Sequence, residues 1–257
     1  MSSHLRFEFS FQTDVGKMRA ENEDAIAVST ALQLAILADG MGGYNAGEVA
    51  SSIAATTIQS AMEHYMRDNP YTHPDDQPAV RRLCLTQSVR KANTAIIEAA
   101  RQQPEYRGMG TTVVVAWFQQ DCVSVAHVGD SRAYVLRGGE MEQLTRDHSL
   151  VQEQIAAGEL RPEHASLAMH RNVITRAVGV NHQLTVEVHE HPLQAEDIFL
   201  LCSDGLSDRL STREMIGIIQ AANGDLESAC NDLIQAANAG GGQDNISVIL
   251  IKTVNVS

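Results

Sequence analysis

Hydrophobic and polar positions along the chain predict strands near both ends and long helices between them. Residues 5–13 alternate with period two, which is typical of a half-buried strand. Residues 25–29 form a short apolar segment, and residues 34–38 form a continuous apolar run that is too short for a helix. Further runs rich in β-branched or apolar residues predict strands at 111–117, 122–128, 133–137, 184–189, 197–202 and 246–251.

A helical period of hydrophobic residues begins after Gly43, where Asn45 and Glu48 have the spacing of a capping box. One face of this first helix is predicted to carry Val49, Ile53, Ile58, Met62 and Tyr65. A second long helix over about 79–101 is predicted to bury Val80, Leu83, Val89, Ala92 and Ile96. Later helix starts are predicted from the capping residues Ser149, Ser211 and Asp225, and the glycines 240–242 predict a helix end.

The order of these elements predicts an α+β fold in which sheets pack together and helices cover them. The strands between residues 111 and 137 are separated by short turns and are predicted to form an antiparallel meander. No repeat or linker divides the 257 residues, so we expect a single domain over 1–257. The irregular segment 144–175 is the best candidate for an inserted flap.

Composition narrows the classes of function. A formal net charge of −13 argues against binding to nucleic acid or to an anionic membrane surface. The four cysteines are widely spaced, which favours free thiols in a reducing compartment. The first residues lack the apolar core of a signal peptide, and no run approaches the roughly 18 apolar residues that a membrane span needs. We therefore expect a cytoplasmic protein.

The candidate chemistry lies in five acids that each adjoin a predicted strand: Asp24, Asp39, Asp130, Asp204 and Asp244. If they met at one rim they would repel one another unless divalent cations neutralised them. Ligation by oxygen alone suits magnesium or manganese better than zinc. For each acid the alternative is an ordinary turn-forming residue. Asp24 begins one strand and Asp39 ends the next, and the sequence leaves open whether the two meet.

Other polar residues have simpler explanations. Arg19 offers a planar cation suited to phosphate, although most such arginines are surface residues. His189 and His191 would share one face of a strand, where a solvated edge is a better explanation than a metal site. His148 is explained by its position at a helix start, and His127 is predicted to be a core histidine. The sequence has neither the Gly-x-Ser-x-Gly elbow nor a P-loop.

Six short motifs, taken in order, resemble those of the metal-dependent serine/threonine protein phosphatases of the PPM, or protein phosphatase 2C, family, and most of all its compact bacterial members. They are RAENED at 19–24, DGMGG at 39–43, GMGTT at 108–112, GDSR at 129–132, SDGL at 203–206 and QDN at 243–245. The resemblance spans essentially the whole chain. It implies a four-layer αββα sandwich: a central antiparallel β-sandwich flanked by helices, with a flap insertion and a centre of two manganese or magnesium ions at one end.

The resemblance also implies roles for individual residues. Asp39 would bridge both ions, the carbonyl of Gly40 would ligate one of them, and Asp204 and Asp244 would complete a coordination shell. Asp24 would act through waters around the centre.

Four more positions match the family. Glu23 matches the second member of an acidic pair beside the centre, and Arg19 matches the arginine that binds phosphate. Asp130 resembles the ligand of a third, weaker ion found in bacterial relatives. His170, within the predicted flap, would face substrate.

The function implied is hydrolysis of phosphoserine and phosphothreonine in proteins by direct attack of a water that bridges two metal ions. Partners would be phosphoprotein substrates, including a cognate bacterial serine/threonine kinase, and the protein would be a monomer. One departure concerns the proton donor: many eukaryotic members have DGHGG, whose histidine is a proposed general acid, whereas this chain has Met41. Two alternatives stay open, a non-catalytic phosphoprotein-binding module and another metal-dependent hydrolase such as a phosphodiesterase.

Overall fold

Two antiparallel β-sheets form the centre of the structure. The computed structural model describes residues 4–43, 46–68, 78–161, 163–164 and 173–256. The strands are β1 (His4–Asp14), β2 (Asp24–Ser29), β3 (Leu34–Met41), β4 (Gly110–Thr111), β5 (Val113–Phe118), β6 (Cys122–Val128), β7 (Arg132–Arg137), β8 (Glu140–Gln143), β9 (Glu187–Pro192), β10 (Ile198–Cys202) and β11 (Ile246–Val256). One sheet has the order β1-β11-β10-β7-β8, and the other has the order β2-β3-β5-β6-β9 with β4 paired to β3.

Helices cover the outer face of each sheet. They are α1 (Ala46–Asp68), α2 (Pro78–Gln102), α3 (Leu150–Ala156), α4 (Asp204–Ser207), α5 (Thr212–Ala221) and α6 (Leu226–Ala239). The pair α1 and α2 packs on the sheet that contains β3, while α5 and α6 pack on the sheet that contains β11. The predicted α+β fold with a helix-flanked β-sandwich is therefore confirmed.

Strand β5 shows why the central strands are apolar without interruption. Its odd-numbered residues, such as Val115 and Trp117, face the helices, and its even-numbered residues, such as Val114 and Phe118, face the other sheet. Side chains alternate between the two faces of a strand, and both faces of β5 are buried. Phe118 contacts the ring of Phe199 at a centroid distance of 5.2 Å across the sandwich.

The predicted meander over residues 111–137 is wrong at its last strand. β5 and β6 form a hairpin, but β7 pairs with β10 and β8 in the other sheet. Both edges of β6 are already occupied, by β5 and β9, so β7 cannot pair with it. The chain changes sheets in the turn at Gly129. Its φ of +106° is readily adopted by glycine but would be strained for other residues.

Two further predictions are wrong in detail. Leu83 lies on the exposed side of α2, because Leu83 and Val89 are six positions apart and fall on different helix faces. Near the N-terminal end of α2 the buried residue is Arg81, whose guanidinium donates two hydrogen bonds to the Glu190 carboxylate, at 2.7 and 2.9 Å. The predicted strand at 184–189 instead runs from Glu187 to Pro192.

The predicted helix starts are confirmed where the structure describes them. The Ser149 side chain accepts from the backbone N–H of Gln152, Ser211 forms a capping box with Glu214, and Asp225 caps α6. Asn45, the loop over 69–77 and residues 165–172 of the predicted flap lie outside the described residues. The four cysteines are buried and free, and none of the described helices is both long and apolar enough to cross a membrane.

Candidate metal centre

Strand pairing brings Asp24 and Asp39 to the same end of the sandwich. β2 and β3 are antiparallel, and their register places Asp24 directly opposite Asp39. The start of one strand therefore adjoins the end of the next, which answers the question that the sequence left open.

The other sheet contributes Asp204 and Asp244 at the same end. β10 and β11 are antiparallel with Cys202 opposite Val248, so the residues after β10 and before β11 adjoin each other. Ser203 links the two sheets, because its hydroxyl donates to Asp24 Oδ2 at 2.8 Å and accepts from the Ser247 N–H at 2.9 Å.

These strand ends surround a cavity of about 330 Å³. It is lined by Arg19, Glu23, Asp39, Gly40, Met41, Gly42, Ile174, Asp204 and Asp244. Asp130 lies in the turn between β6 and β7, and its charge acts on both Asp39 and Asp204. Of the described residues that the sequence singled out for this site, six line the cavity and Asp24 lies opposite Asp39, whereas Asp130 is not part of the cavity lining. His170 lies outside the described residues.

Two threonines hold the backbone of Asp39, and neither was singled out from the sequence. The Asp39 N–H donates to Thr112 Oγ1 at 3.1 Å, and the Asp39 carbonyl accepts from Thr111 Oγ1 at 2.8 Å. Thr112 in turn shares a hydrogen bond of 2.6 Å with Ser131, next to Asp130. Both threonines belong to the GMGTT motif, so position within that motif was the available signal.

Gly40 and Gly47 allow the start of α1 to approach the end of β3. A Cβ on Gly40 would lie 2.1 Å from the Gly47 carbonyl oxygen, which is far inside any normal contact. A Cβ on Gly47 would lie 2.5 Å from Glu23 Oε1. Glycine is needed at both positions for the backbone to pass this close beside the cavity.

Arg19 is positioned against the acids by its neighbours. Its Nη2 donates to Asp244 Oδ2 at 2.7 Å, with half of the Arg19 side chain exposed. Asn245, the last residue of the QDN motif, accepts from the Glu23 N–H at 2.8 Å and donates to the Glu21 carbonyl at 2.9 Å. This buried amide therefore holds the 19–24 segment against the start of β11.

Burial and mutual repulsion raise the pKa values of the clustered acids. Burial is the larger cause of the raised pKa of Asp39 and of Asp204, and neighbouring carboxylates add to it. Burial also raises the pKa of Asp24, against the lowering effect of hydrogen bonds from Ser247 and Ser203. The pKa of Asp130 rises to about 6, first through burial and then through the charge of Asp147. A positive charge beside these groups would favour their ionised forms.

The donor set fits hard divalent cations such as magnesium and manganese. All of the candidate ligands are oxygens, and Asp24 Oδ1 is buried with no hydrogen-bond partner among the described residues. Within the part of the chain that the structure describes, only His127, His148 and Glu187 place three ligand atoms within 4.8 Å of one another. The ligand oxygens of the aspartates are therefore spaced more widely than the ligand atoms of that trio.

The histidines differ in part from their predicted roles. His127 is buried as predicted, and His189 lies exposed on the edge strand β9. Capping is not the explanation for His148, because Ser149 is the cap and the His148 ring is buried in hydrogen bonds of its own.

Comparison with known proteins identifies the family. The sequence profile described as protein phosphatase 2C matches residues 17–250. The chain belongs to the protein phosphatase 2C family. Among its relatives in this family is the serine/threonine phosphatase Stp of Listeria innocua, which is 36% identical over 245 residues, 94% of each chain. The Mycobacterium tuberculosis phosphatase PstP is 35% identical over 98% of this chain, which spans only 46% of that longer protein.

A solved structure of the same family carries metal. The catalytic domain of PstP in complex with two manganese ions matches this structure with a TM-score of 0.82, at 34% identity, over 98% of this chain and 100% of that one. The protein phosphatase 2C fold predicted from the motifs is therefore confirmed, and one member with this fold binds two metal ions.

Raised carboxylate pKa values predict how metal-free stability depends on pH. A carboxyl group whose native pKa is raised stabilises the fold below its ordinary pKa, near 3.9, and this contribution is lost as the pH rises through the native value. Asp39→Asn removes one ionisable group and should make the metal-free protein more stable than the parent at pH 8. The melting temperature should rise by roughly 2–4 °C for each kcal/mol of repulsion that the substitution removes. Thermal melting in a chelator measures this.

The control is Asp232→Asn on the exposed face of α6, which should leave the melting temperature unchanged. The gain in Asp39→Asn should shrink toward pH 5, where the parent is partly protonated. A metal-free Asp39→Asn protein that melts below the parent at pH 8 would show that repulsion at this site is not the dominant effect.

Proposed function

We propose that this protein hydrolyses phosphoserine and phosphothreonine in proteins and uses manganese or magnesium ions bound by its clustered aspartates. The observation that carries the proposal is the meeting of acids from both sheets with Arg19 around one open cavity. Membership of the protein phosphatase 2C family and the names of its relatives support the reaction class.

The residues assigned to the two-ion centre are Asp39, the carbonyl of Gly40, Asp204 and Asp244. Asp24, opposite Asp39, would support them through waters, and Glu23 lines the cavity beside them. When bound, a pair of such ions neutralises phosphate charge and lowers the pKa of water to the range where hydroxide forms near neutral pH. The hydrogen bonds from the threonines, Ser203 and Asn245 hold these side chains and their backbone in place, so that little reorganisation is needed during the reaction.

Arg19 is assigned to the phosphate group. A guanidinium carries five N–H donors, and the contact with Asp244 uses Nη2. Arg19 lines the cavity and half of its side chain is exposed, so the remaining donors are available to a phosphate, which can accept two parallel hydrogen bonds from a guanidinium. Arg19 would thus orient the substrate and balance its charge without belonging to the set of metal ligands.

The proton for the departing serine or threonine oxygen needs a source other than Met41. Met41 lines the cavity, but a thioether has no proton to give. Asp130 is the residue that we assign to this requirement, because it would hold a third, weaker ion whose water ligand could supply the proton. Burial and the charge of Asp147 raise the pKa of Asp130 to about 6, so a cation beside this carboxylate would favour its ionised form.

We further propose that the protein acts as a single-domain, cytoplasmic monomer on phosphoproteins, among them a cognate serine/threonine kinase. The net charge of −13 disfavours nucleic acid and anionic membranes as partners. The predicted flap over 144–175, with His170, is assigned to contacts with the substrate protein.

A substrate panel tests the proposed activity. Phosphopeptides and a phosphodiester are offered with manganese and then with a chelator, to the parent, to Asp204→Asn and to the control Asp232→Asn. We expect manganese-dependent hydrolysis of phosphopeptides by the parent and the control, and a loss of roughly 100-fold or more in Asp204→Asn. Preferred hydrolysis of the diester would indicate a phosphodiesterase, and phosphopeptide binding without turnover would indicate a regulatory module.

Arg19→Ala should raise KM for a phosphopeptide and cause a smaller loss of manganese affinity, because Arg19 is assigned to phosphate although it also contacts Asp244. Its matched control is Arg209→Ala, which removes an equal charge from a side chain that contacts Gln243, next to Asp244 in the sequence. Steady-state kinetics and calorimetric manganese titration measure the two effects. An unchanged KM in Arg19→Ala would exclude this arginine from phosphate binding.

Asp130→Asn should cut turnover strongly while the two tighter ions still bind. The defect should be larger for a phosphopeptide than for p-nitrophenyl phosphate, whose leaving group needs little protonation. Kinetics on both substrates, with calorimetry and melting on the same preparation, measure this. If Asp130 has only a turn-forming role, the variant will lose about 1 kcal/mol of stability and keep a kcat near that of the parent.

A further inference from the structure

A polar cluster around two buried histidines lies next to the turn that carries Asp130 and is not used by the reaction described above. We call it the His148 cluster; it consists of His127, His148, Arg176 and Glu187. The rings of His127 and His148 are stacked with centroids 4.7 Å apart. His148 precedes α3, Arg176 follows the predicted flap, and the other two residues lie on β6 and β9 in register with each other.

His148 makes two hydrogen bonds to Gly129, the residue before Asp130. The His148 N–H donates to the Gly129 carbonyl at 2.9 Å, and the Gly129 N–H donates to His148 Nδ1 at 3.1 Å. Gly129 lies where the chain leaves one sheet for the other, with a positive φ. Both polar groups of the Gly129 backbone are therefore held by one residue, which restricts the orientation of the turn that presents Asp130.

The ring of His148 is itself held in one tautomer. Because Nδ1 accepts a hydrogen bond, the proton of the neutral ring lies on Nε2, which donates to Glu187 Oε1 at 3.0 Å. Burial lowers the pKa of His148 and so favours this neutral form. Arg176 Nη1 donates to the same carboxylate oxygen at 2.9 Å, which fixes Glu187 in turn.

His148 also joins the two ends of the predicted flap. Its carbonyl accepts from the Thr175 N–H at 2.8 Å, and the adjacent Ser149 forms an isolated β-bridge with Ile174. Ile174 lines the cavity of the candidate metal centre. A single residue thus contacts the Asp130 turn and both ends of the flap.

We infer that His148, held by Glu187, is a positioning residue that fixes the Gly129–Asp130 turn and thereby aims Asp130 into the active site. The inference rests on the proposed phosphatase function, in which Asp130 serves turnover. His148 does not touch the reacting atoms in this account; it acts through the Gly129 backbone.

A metal site formed by His127, His148 and Glu187 is the competing explanation, and the hydrogen bonds disfavour it. A cation on His148 Nε2 would require the proton to move to Nδ1, where it would point at the Gly129 N–H. The cation would also have to displace or tolerate the positive charge of Arg176, whose Nη1 lies 3.3 Å from Nε2.

Two substitutions of His148 separate the two hydrogen bonds of its ring, one from the Gly129 N–H to Nδ1 and one from Nε2 to Glu187. In His148→Asn the amide oxygen can take the place of Nδ1 and keep the bond from Gly129, while the contact with Glu187 is lost. In His148→Gln the longer amide reaches toward Glu187 but leaves the Gly129 N–H without its acceptor. We expect kcat for a phosphopeptide to fall ~10-fold or more in His148→Gln and by much less in His148→Asn, with KM little changed in both.

A double-mutant cycle with Asp130→Asn tests whether the effect passes through Asp130. In the Asp130→Asn background, His148→Gln should cause no further loss of kcat, because the residue being positioned is already disabled. Glu187→Ala is a check on the same assignment, because it removes the carboxylate from Nε2 but keeps Nδ1 as the acceptor for the Gly129 N–H. It should therefore behave like His148→Asn and lower kcat much less than His148→Gln does.

Glu190→Gln is the matched control. Glu190 lies on β9, as Glu187 does, and the substitution breaks its ion pair with Arg81 of α2, away from the Asp130 turn. It should lower the melting temperature and leave kcat unchanged. Calorimetric manganese titration gives a readout independent of turnover: His148→Gln should weaken the weakest binding step and spare the tighter ones.

Equal kcat losses in His148→Gln and His148→Asn, or losses that add to that of Asp130→Asn, would overturn the positioning role. Zinc binding by the parent that is lost in both His148 variants would overturn it in favour of the metal site. A parent without phosphatase activity would refute the proposed function instead, and the manganese titration would then decide the positioning role by itself.

Discussion

Repulsion among partly buried carboxylates is the constraint on which the rest of this structure depends. Acids from both sheets converge at one end of the sandwich, and the loss of hydration together with their mutual charge raises the pKa values of Asp24, Asp39, Asp130 and Asp204. Such a cluster costs free energy unless cations neutralise it. A divalent cation bound among these carboxylates would relieve the same repulsion that destabilises the metal-free protein.

The scaffold holds this unfavourable cluster with neutral groups that do not compete for cations. Threonine hydroxyls fix the backbone of Asp39, the Ser203 hydroxyl joins the two sheets, and the Asn245 amide holds the segment that carries Glu23. Three apolar layers, one between the two sheets and one beneath each helix pair, supply the stability that offsets the repulsion among the clustered carboxylates. The reactive end is thus supported by the hydrophobic core behind it.

The sequence predicted the layers and most of the site, because both depend on local patterns. Apolar runs that stop at an acid located Asp39 and Asp204, and six motifs in order predicted the family. Errors arose where distant pairing decides the outcome. β7 joins the other sheet because both edges of β6 are already paired, with β5 and β9. Arg81 is buried because its guanidinium is paired with Glu190. His148 was explained as part of a helix start because its partners, Gly129 and Glu187, are 19 and 39 positions away.

Proton release on manganese binding tests the central claim most directly. Calorimetric titration of the metal-free protein at pH 6, in two buffers with different protonation enthalpies, measures how many protons leave when manganese binds. If the clustered carboxylates hold protons because of their raised pKa values, manganese must displace them, so the two buffers should give different heats at pH 6, and Asp39→Asn should release fewer protons. Equal heats in both buffers, with manganese bound, would show that the carboxylates were already ionised and would contradict the account.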